Sequence, residues 1–149
     1  MTEIVCLTAA HPLWEKVAEF AESCSWRAGV TLASFMRSGR FSEHERVFAA
    51  FIDGTPAGFC TLTDKDALDD KYGISPFIGF VFVEEQYRGR RLSEGMIKAA
   101  LSYAGSNGTE KVYLTSEEQG LYEKYGFTKL GDGCDTIYGT KEQLFVIMT

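Results

Sequence analysis

The residues best suited to chemistry lie in one turn, Gln86–Ser93 (QYRGRRLS), between an apolar run and an amphipathic segment. Gly89 allows the backbone to approach a ligand closely and to adopt a positive φ. The amides from about Gly89 to Ser93 precede a helix, so they lack intrahelical acceptors and can bind phosphate oxygens. Guanidinium groups of the same turn add fork-shaped donors for phosphate: Arg88, Arg90 and Arg91. The turn therefore predicts an anion site.

The spacing of this turn excludes two common phosphate-binding loops, because neither G-x-x-x-x-G-K-[ST] nor G-x-G-x-x-G occurs there. It resembles the acetyl-coenzyme A signature of the GNAT superfamily of N-acetyltransferases, Gln/Arg-x-x-Gly-x-Gly/Ala between a strand and a long helix. Gln86 and Gly89 match the first two fixed positions, whereas Arg91 stands at the third and Ser93 replaces another small residue. We expect the Arg91 side chain to turn outward and contact phosphate. Otherwise this side chain would crowd the pyrophosphate. The alternative for the turn as a whole is a basic, solvated helix start.

A second segment, Gly120–Phe127 (GLYEKYGF), resembles the LYEKxGF sequence of the same family and follows the turn after one further strand. The resemblance implies that Tyr122 lies near the thioester sulfur and protonates the departing thiolate as general acid. The alternative is that Tyr122 merely packs a short helix on the sheet. The close resemblance covers about residues 77–131.

The resemblance implies a fixed arrangement around acetyl-coenzyme A, the acetyl donor. The ends of strands Phe77–Val83 and Lys111–Thr115 would splay apart, with the pantetheine arm between them. Backbone groups near Phe82 and Val83 would bind that arm, and one amide would polarise the thioester carbonyl. An acceptor amine then attacks directly, without a covalent enzyme intermediate. The implied cofactor-binding residues are Phe82, Val83, Arg88, Gly89, Arg90, Arg91, Leu92 and Ser93, and no metal site is expected.

The base that takes the proton of the amine stays unassigned, because several carboxylates compete for this role. Glu84 follows the central strand, Glu45 opens a hairpin, and one polar loop carries Asp64, Asp66, Asp69 and Asp70. A run of this kind is most simply a solvated loop, and water could also carry the proton. Three aromatic residues are most simply core, although some could contact the acceptor: Trp14, Trp26 and Phe35.

The hydrophobic pattern predicts the order β-α-α-β-β-β-α-β-α-β-β, an α/β (α+β), GNAT-like mixed central sheet with helices on both faces. Asp53-Gly54, between two apolar runs, favours a tight hairpin turn. The apolar strand Leu144–Met148 could lie at a sheet edge and pair with a second copy, giving a homodimer. The predicted strands are 2–7, 47–52, 57–62, 77–83, 111–115, 127–130 and 144–148, and the helices begin near Pro12, Ala28, Leu92 and Gln119.

The composition fits one domain, residues 1–149, with 45% hydrophobic and 24% charged residues. We see no apolar run near the roughly 20 residues of a membrane span and no secretory signal. The cysteines lack C-x-x-C spacing, which predicts small buried thiols rather than a zinc site or a disulfide framework: Cys6, Cys24, Cys60 and Cys134. These features predict a cytoplasmic protein.

The net charge of -6 argues against a nucleic-acid partner. We therefore expect an N-acetyltransferase that acts on a small-molecule or peptide amine. A non-catalytic acyl-coenzyme A sensor on the same fold is the first alternative, and Tyr122 argues against it because a sensor needs no general acid. An acetyltransferase acting on charged tRNA is the second, and the net charge argues against it.

Overall fold

The computed structural model describes residues 1–149, and the predicted order of strands and α-helices is confirmed. Two single turns of 3-10 helix add to it, at Asp70–Tyr72 and Glu85–Tyr87. The helices are α1 (Trp14–Ser23), α2 (Ala28–Arg37), α3 (Leu92–Ser106) and α4 (Leu121–Lys124). The strands are β1 (Thr2–Leu7), β2 (Arg46–Ile52), β3 (Thr55–Thr63), β4 (Phe77–Val83), β5 (Lys111–Ser116), β6 (Thr128–Asp135) and β7 (Lys141–Met148).

All seven strands form one mixed sheet in the order β1-β2-β3-β4-β5-β7-β6. Neighbouring strands are antiparallel except for β4 and β5, which run parallel because α3 connects them across one face. The predicted fold class, a mixed α/β sheet, is confirmed.

Helices cover both faces of this sheet, as predicted, and each face has its own apolar core. On one face α1 and α2 pack on β2 and β3, and the buried residues include Val17, Ala21, Leu32, Met36, Val47 and Phe59. On the other face α3 presents the predicted helical stripe to the sheet, and the buried residues include Leu92, Met96, Ile97, Ala100 and Ala104. The divergence between β4 and β5 lies between these two layers.

The predicted β2–β3 hairpin is confirmed, with Asp53 and Gly54 at its turn. Their φ angles are 49° and 81°, and positive φ at both central positions is the type I′ geometry that matches the strand twist. The strands on either side are paired from Arg46 to Ile52.

The last two strands differ from the prediction. β6 continues to Asp135, because two register shifts on either side of Gly131 interrupt the strand pattern without ending the pairing. β7 begins at Lys141, three residues before the predicted start. The expectation that Leu144–Met148 lies at a sheet edge is wrong. β7 runs between β5 and β6, so the edge strands are β1 and β6.

The cysteines are all free, but their expected burial holds only in part: Cys60 is buried, whereas Cys6 is exposed on β1. No helix combines the length and the apolar character needed to cross a membrane.

Candidate active site

A cavity of about 1730 Å³ opens where β4 and β5 diverge. These parallel strands share one register pair, Phe77 with Tyr113, so from Ile78 onward the β5-facing edge of β4 has no partner strand. The other walls come from the start of α3, from α2 and α4, from the β6–β7 hairpin, and from β3 with the loops before β2 and after β3. The splay that the family resemblance implied is therefore present, at the end of β4 that leads into the arginine turn.

A bulge in β4 opens its backbone further. Phe59 pairs with Phe82 and Thr61 pairs with Gly79, which leaves Phe80 and Val81 without partners in β3. Phe80 has φ of 49°, an uncommon conformation for a residue with a side chain. Phe80 to Val83 all line the cavity, so main-chain polar groups near the expected Phe82 and Val83 positions are available along it.

The arginine turn delivers main-chain donors to the same cavity. Gly89 has φ of 86°, and a glycine there avoids the strain that a side chain would add. α3 then begins at Leu92 without a side-chain cap, which leaves the first N–H groups of the helix without acceptors. The Leu92 side chain is buried in the core beneath and fixes the position of this helix start. The helix dipole and these donors favour an anion.

The three arginines of the turn have different surroundings. Arg88 lines the cavity, and its Nε donates to the Val83 carbonyl at 3.0 Å, which ties the turn to the end of β4. Arg90 lies over the Tyr87 ring, 5.7 Å from its centroid, and is not part of the cavity wall. Arg91 lines the cavity with its side chain 85% exposed. The outward direction expected for Arg91 matches its exposure.

The backbone at Arg91 accounts for the small residue that the family signature has there. Arg91 is the residue before α3 and has φ of 59°, in the left-handed region that costs a side-chain-bearing residue about 1–2 kcal/mol. Its Nε lies 3.5 Å from Glu94 Oε1. Arg91 therefore adopts a backbone conformation that the glycine of the signature would adopt at a lower cost.

Tyr122 is a core residue that also borders the cavity. It is buried, and its ring packs on Phe127 and Phe145 with centroids 5.8 Å apart in each case. It also lines the cavity. Burial, with a contribution from the negative charge of Glu118, raises the pKa of Tyr122 well above its usual range. The phenol therefore stays protonated at neutral pH and can donate a proton.

The competing carboxylates are separated by their contacts. Glu84 accepts from Ser25 Oγ at 2.9 Å, and Glu45 accepts from the Ser42 and Asp64 amides. Within the acidic loop, Asp64 pairs with His44, Asp70 pairs with Lys65, and Asp69 caps the 3-10 turn that follows. Asp66 pairs with no other side chain: it accepts from the Ala67 amide and turns toward Gly79 of β4. The expectation of a solvated loop thus fails at one residue.

Asp66 is the candidate residue that the sequence did not single out. A Cβ placed on Gly79 would lie 2.2 Å from Asp66 Oδ1, so the carboxylate occupies the space of the absent side chain. Both Asp66 and Gly79 line the cavity. An acidic residue opposite a glycine in another strand leaves no sequence signal, because the loop conformation decides the contact.

Aromatic side chains form the wall near the β4 bulge. Trp26 stacks on Phe82 at 5.8 Å, and Phe35 meets Phe80 edge-on at 6.0 Å. Trp26 and Phe35 line the cavity, whereas Trp14 is a core residue whose Nε1 donates to the Met36 carbonyl. Of the three aromatic residues considered in the sequence, two are therefore placed to contact a ligand.

Comparison with known proteins gives a consistent family and fold. The Acetyltransferase (GNAT) family model matches residues 8–127. An acyl-CoA N-acyltransferase from Pseudomonas aeruginosa is 16% identical, with a TM-score of 0.69 over 98% of this chain and 99% of that one. A GNAT-family acetyltransferase from Streptococcus pneumoniae is 17% identical, with a TM-score of 0.65 over 99% of each chain.

A third structure, from Salmonella typhimurium and solved with its cofactor acetyl-CoA, is 13% identical, with a TM-score of 0.63 over 100% of this chain and 93% of that one. At these identities the likeness establishes the fold. No curated protein matches the sequence significantly.

Proposed function

The chain belongs to the acetyltransferase (GNAT) family, and we propose that it transfers the acetyl group of acetyl-coenzyme A to a primary amine by direct attack, with Tyr122 as general acid. The observation that carries this proposal is that the uncapped start of α3, the open edge of β4 and Tyr122 all border one cavity. Bound acetyl-coenzyme A supplies an activated thioester carbonyl carbon for that attack.

The donor set at the start of α3 fits a pyrophosphate. Gly89 and the first amides of the helix present main-chain N–H groups, and Arg88 and Arg91 add positive charge at the same end of the cavity. Arg90 is directed to Tyr87 and contributes at most a longer-range charge. We therefore assign the phosphate contacts to main-chain amides from Gly89 to Ser93, with Arg88 and Arg91 as the side-chain partners.

The bulge in β4 fits the reacting end of the cosubstrate. The backbone of Phe80 to Val83 lacks a partner strand on its cavity side, so its amides can bind an extended arm and stabilise negative charge on a carbonyl oxygen. A donor of this kind typically accounts for 10²–10³ in rate. Tyr122 lies in the same cavity wall with its proton retained, where it can protonate a departing thiolate.

The cosubstrate assignment is tested by thermal unfolding with acetyl-coenzyme A, ATP and NAD in turn. A ligand at 100 times its Kd stabilises the folded chain by about 2.7 kcal/mol. We expect acetyl-coenzyme A to raise Tm clearly more than ATP or NAD, and Gly89→Ala to reduce that shift. Equal shifts for the three ligands would contradict the assignment.

The reaction is tested by thiol release from acetyl-coenzyme A with polyamines, amino acids, aminoglycosides and peptides as acceptors. We expect release that depends on one of these amine classes. A chain that binds acetyl-coenzyme A but releases no thiol with any amine would instead be the non-catalytic acyl-coenzyme A sensor.

A further inference from the structure

The contact between Asp66 and Gly79 is a built feature of the cavity. Gly79 has an ordinary β-strand position on β4, yet a Cβ there would lie 2.2 Å from Asp66 Oδ1 and 2.8 Å from Asp66 Cγ. Because contacts under 3 Å do not occur for real Cβ atoms, any side chain at position 79 would displace the carboxylate. Gly79 therefore makes room for the Asp66 carboxylate and is not needed for a turn.

Thr61, the cross-strand neighbour of Gly79, is a second observation that points to a ligand beside Asp66. Thr61 pairs with Gly79, so their side-chain positions share one face of the sheet. Thr61 is 1% exposed, lines the cavity, and its hydroxyl has no hydrogen-bond partner. A buried hydroxyl without a partner is costly, and a ligand polar group beside Asp66 would satisfy it.

We propose that Asp66 binds the ammonium group of the acceptor and takes its proton, a role that rests on the proposed function. Gly79 is required because it leaves room for this carboxylate. Asp66 lies beside the β4 bulge that borders the thioester site, whereas the phosphate-binding amides follow the other end of β4. The cavity is therefore cationic at the cosubstrate end and acidic at the acceptor end.

The surroundings of Asp66 suit a base that works near neutral pH. The pKa of Asp66 is raised to about 6, chiefly by burial and to a smaller extent by the negative charge of Glu142 on β7, while the hydrogen bond from the Ala67 amide acts in the opposite direction. Both lysines of the same loop are paired with other carboxylates, Lys65 with Asp70 and Lys71 with Asp135. A base with a pKa close to the working pH is ionised when the acceptor arrives and can still hold a proton.

The proton balance of the proposed step is complete. An acceptor R–NH₃⁺ gives one proton to the Asp66 carboxylate, and the nitrogen lone pair forms the C–N bond as the C–S bond breaks. Tyr122 gives its proton to the leaving sulfur and recovers one from the new amide nitrogen. Asp66 then releases its proton to water, so the products are the acetamide, the thiol and one proton.

The wall beside Asp66 narrows the class of acceptor. Phe80 and Trp26 form an aromatic surface next to the acidic end, and the neighbouring Phe35 ring is covered by the Arg40 guanidinium, 4.0 Å from its centroid. Aromatic faces attract a cation and bury apolar groups. The acceptor class that fits is a primary ammonium attached to an apolar body, for which 2-phenylethylamine is a suitable probe.

A first experiment observes Asp66 without turnover, by carbon NMR of its carboxyl group during a pH titration. We expect titration near pH 6 in the wild type, a lower pKa when 2-phenylethylammonium is added, and a pKa near the ordinary value in Gly79→Ala. An Asp66 carboxyl that ignores both the ammonium probe and the Gly79→Ala change would overturn the proposal.

A second experiment compares the pH dependence of kcat/KM for three variants, with the best amine from the acceptor screen. Asp66→Asn should lower the rate about 10²-fold near pH 7 and remove the fall in activity below about pH 6. Gly79→Ala should change the profile in the same direction, and Asp70→Asn, in the same loop but paired with Lys65, should retain the wild-type profile. A wild-type rate and profile in Asp66→Asn would refute the role of Asp66 alone, while a wild-type chain inactive with every amine would refute the proposed function.

Discussion

The hydroxyl of Ser93 lies 2.8 Å from the hydroxyl of Tyr125, and this contact joins the start of α3 to the end of α4. The first element presents the amides assigned to phosphate, and the second carries Tyr122. The two segments that resemble the family are therefore connected directly through side chains as well as through the sheet. Each segment helps to hold the other at a fixed place along the cavity.

Removing this connection should have a measurable cost. Ser93→Ala and Tyr125→Phe should each lower the free energy of unfolding by about 1 kcal/mol, because each leaves a partly buried hydroxyl without its partner. The double variant should cost little more than either one, which chemical denaturation can measure as a double-mutant cycle. Fully additive losses would show that the two hydroxyls do not interact.

Tyr122→Phe should lower kcat by about 10²-fold or more with little change in the affinity for acetyl-coenzyme A. The ring still fills its place against Phe127 and Phe145, so the loss reflects the missing proton donor. Steady-state kinetics and calorimetric binding measure the two effects separately.

The matched control for Tyr122→Phe is Tyr103→Phe. Tyr103 donates its hydroxyl proton to the His44 carbonyl at 2.9 Å, away from the cavity. The loss of this hydroxyl should lower the free energy of unfolding and leave kcat near the wild-type value. Equal kcat for Tyr122→Phe and wild type would remove Tyr122 from the acid role.

Arg91→Gly should raise the free energy of unfolding by about 0.5–1 kcal/mol. The change relieves a left-handed backbone and loses only an exposed contact with Glu94, although a glycine also adds freedom to the unfolded chain. Arg90→Gly is the control, because Arg90 has no positive φ and the same change there should lower stability. A loss of stability in Arg91→Gly would contradict this account of the departure from the signature.

The proposed contact between Arg91 and phosphate predicts a salt-dependent change in the affinity for acetyl-coenzyme A. Arg91→Gly should weaken acetyl-coenzyme A binding several-fold at low salt and less at high salt, because an exposed guanidinium acts through screened charge. A salt-independent affinity equal to that of the wild type would argue that the main-chain amides hold the phosphates without Arg91.

Asp66→Asn should stabilise the folded chain at neutral pH. Because the folded-state pKa of Asp66 is raised from 3.8 to about 6, the folded state holds this proton more tightly than the unfolded state does. The contribution of Asp66 to stability is therefore present below about pH 4 and is lost as the pH rises through about 6, a cost of at most about 3 kcal/mol.

Thermal melts between about pH 4 and pH 7 check the sign of this pH dependence of stability. The gain in Tm of Asp66→Asn over wild type should be largest near pH 7 and should shrink toward pH 4. A gain that grows as the pH falls would mean that the carboxylate is stabilised by the fold, as in an ordinary ion pair.

Local signals in the sequence account for much of the fold. The Asp53-Gly54 turn, the α3 stripe and the apolar run of β4 each depend on residues close together in the chain, and all three are confirmed. The glycine-rich end of β6 was missed because its bulges break the alternation that marks a strand. The position of β7 depends on how the last hairpin folds back, which alternation does not encode.

The candidate site divides in the same way. Gly89 and Tyr122 lie in segments whose spacing resembles the family, so the sequence could name them. Asp66 was hidden in an acidic run, and its difference from Asp64 and Asp70 is a difference of partners across the fold. The left-handed backbone at Arg91 could not be predicted from the residue type, because an arginine rarely adopts a positive φ.

The most direct test of acetyl transfer follows both products in one mixture of the chain, acetyl-coenzyme A and a pool of primary amines. We predict that free thiol appears together with an equal amount of one amine that has gained an acetyl group by mass, and that Tyr122→Phe slows both in parallel. Thiol release without any acetylated amine, or no release at all while acetyl-coenzyme A binds, would contradict the assignment of this chain as an amine acetyltransferase.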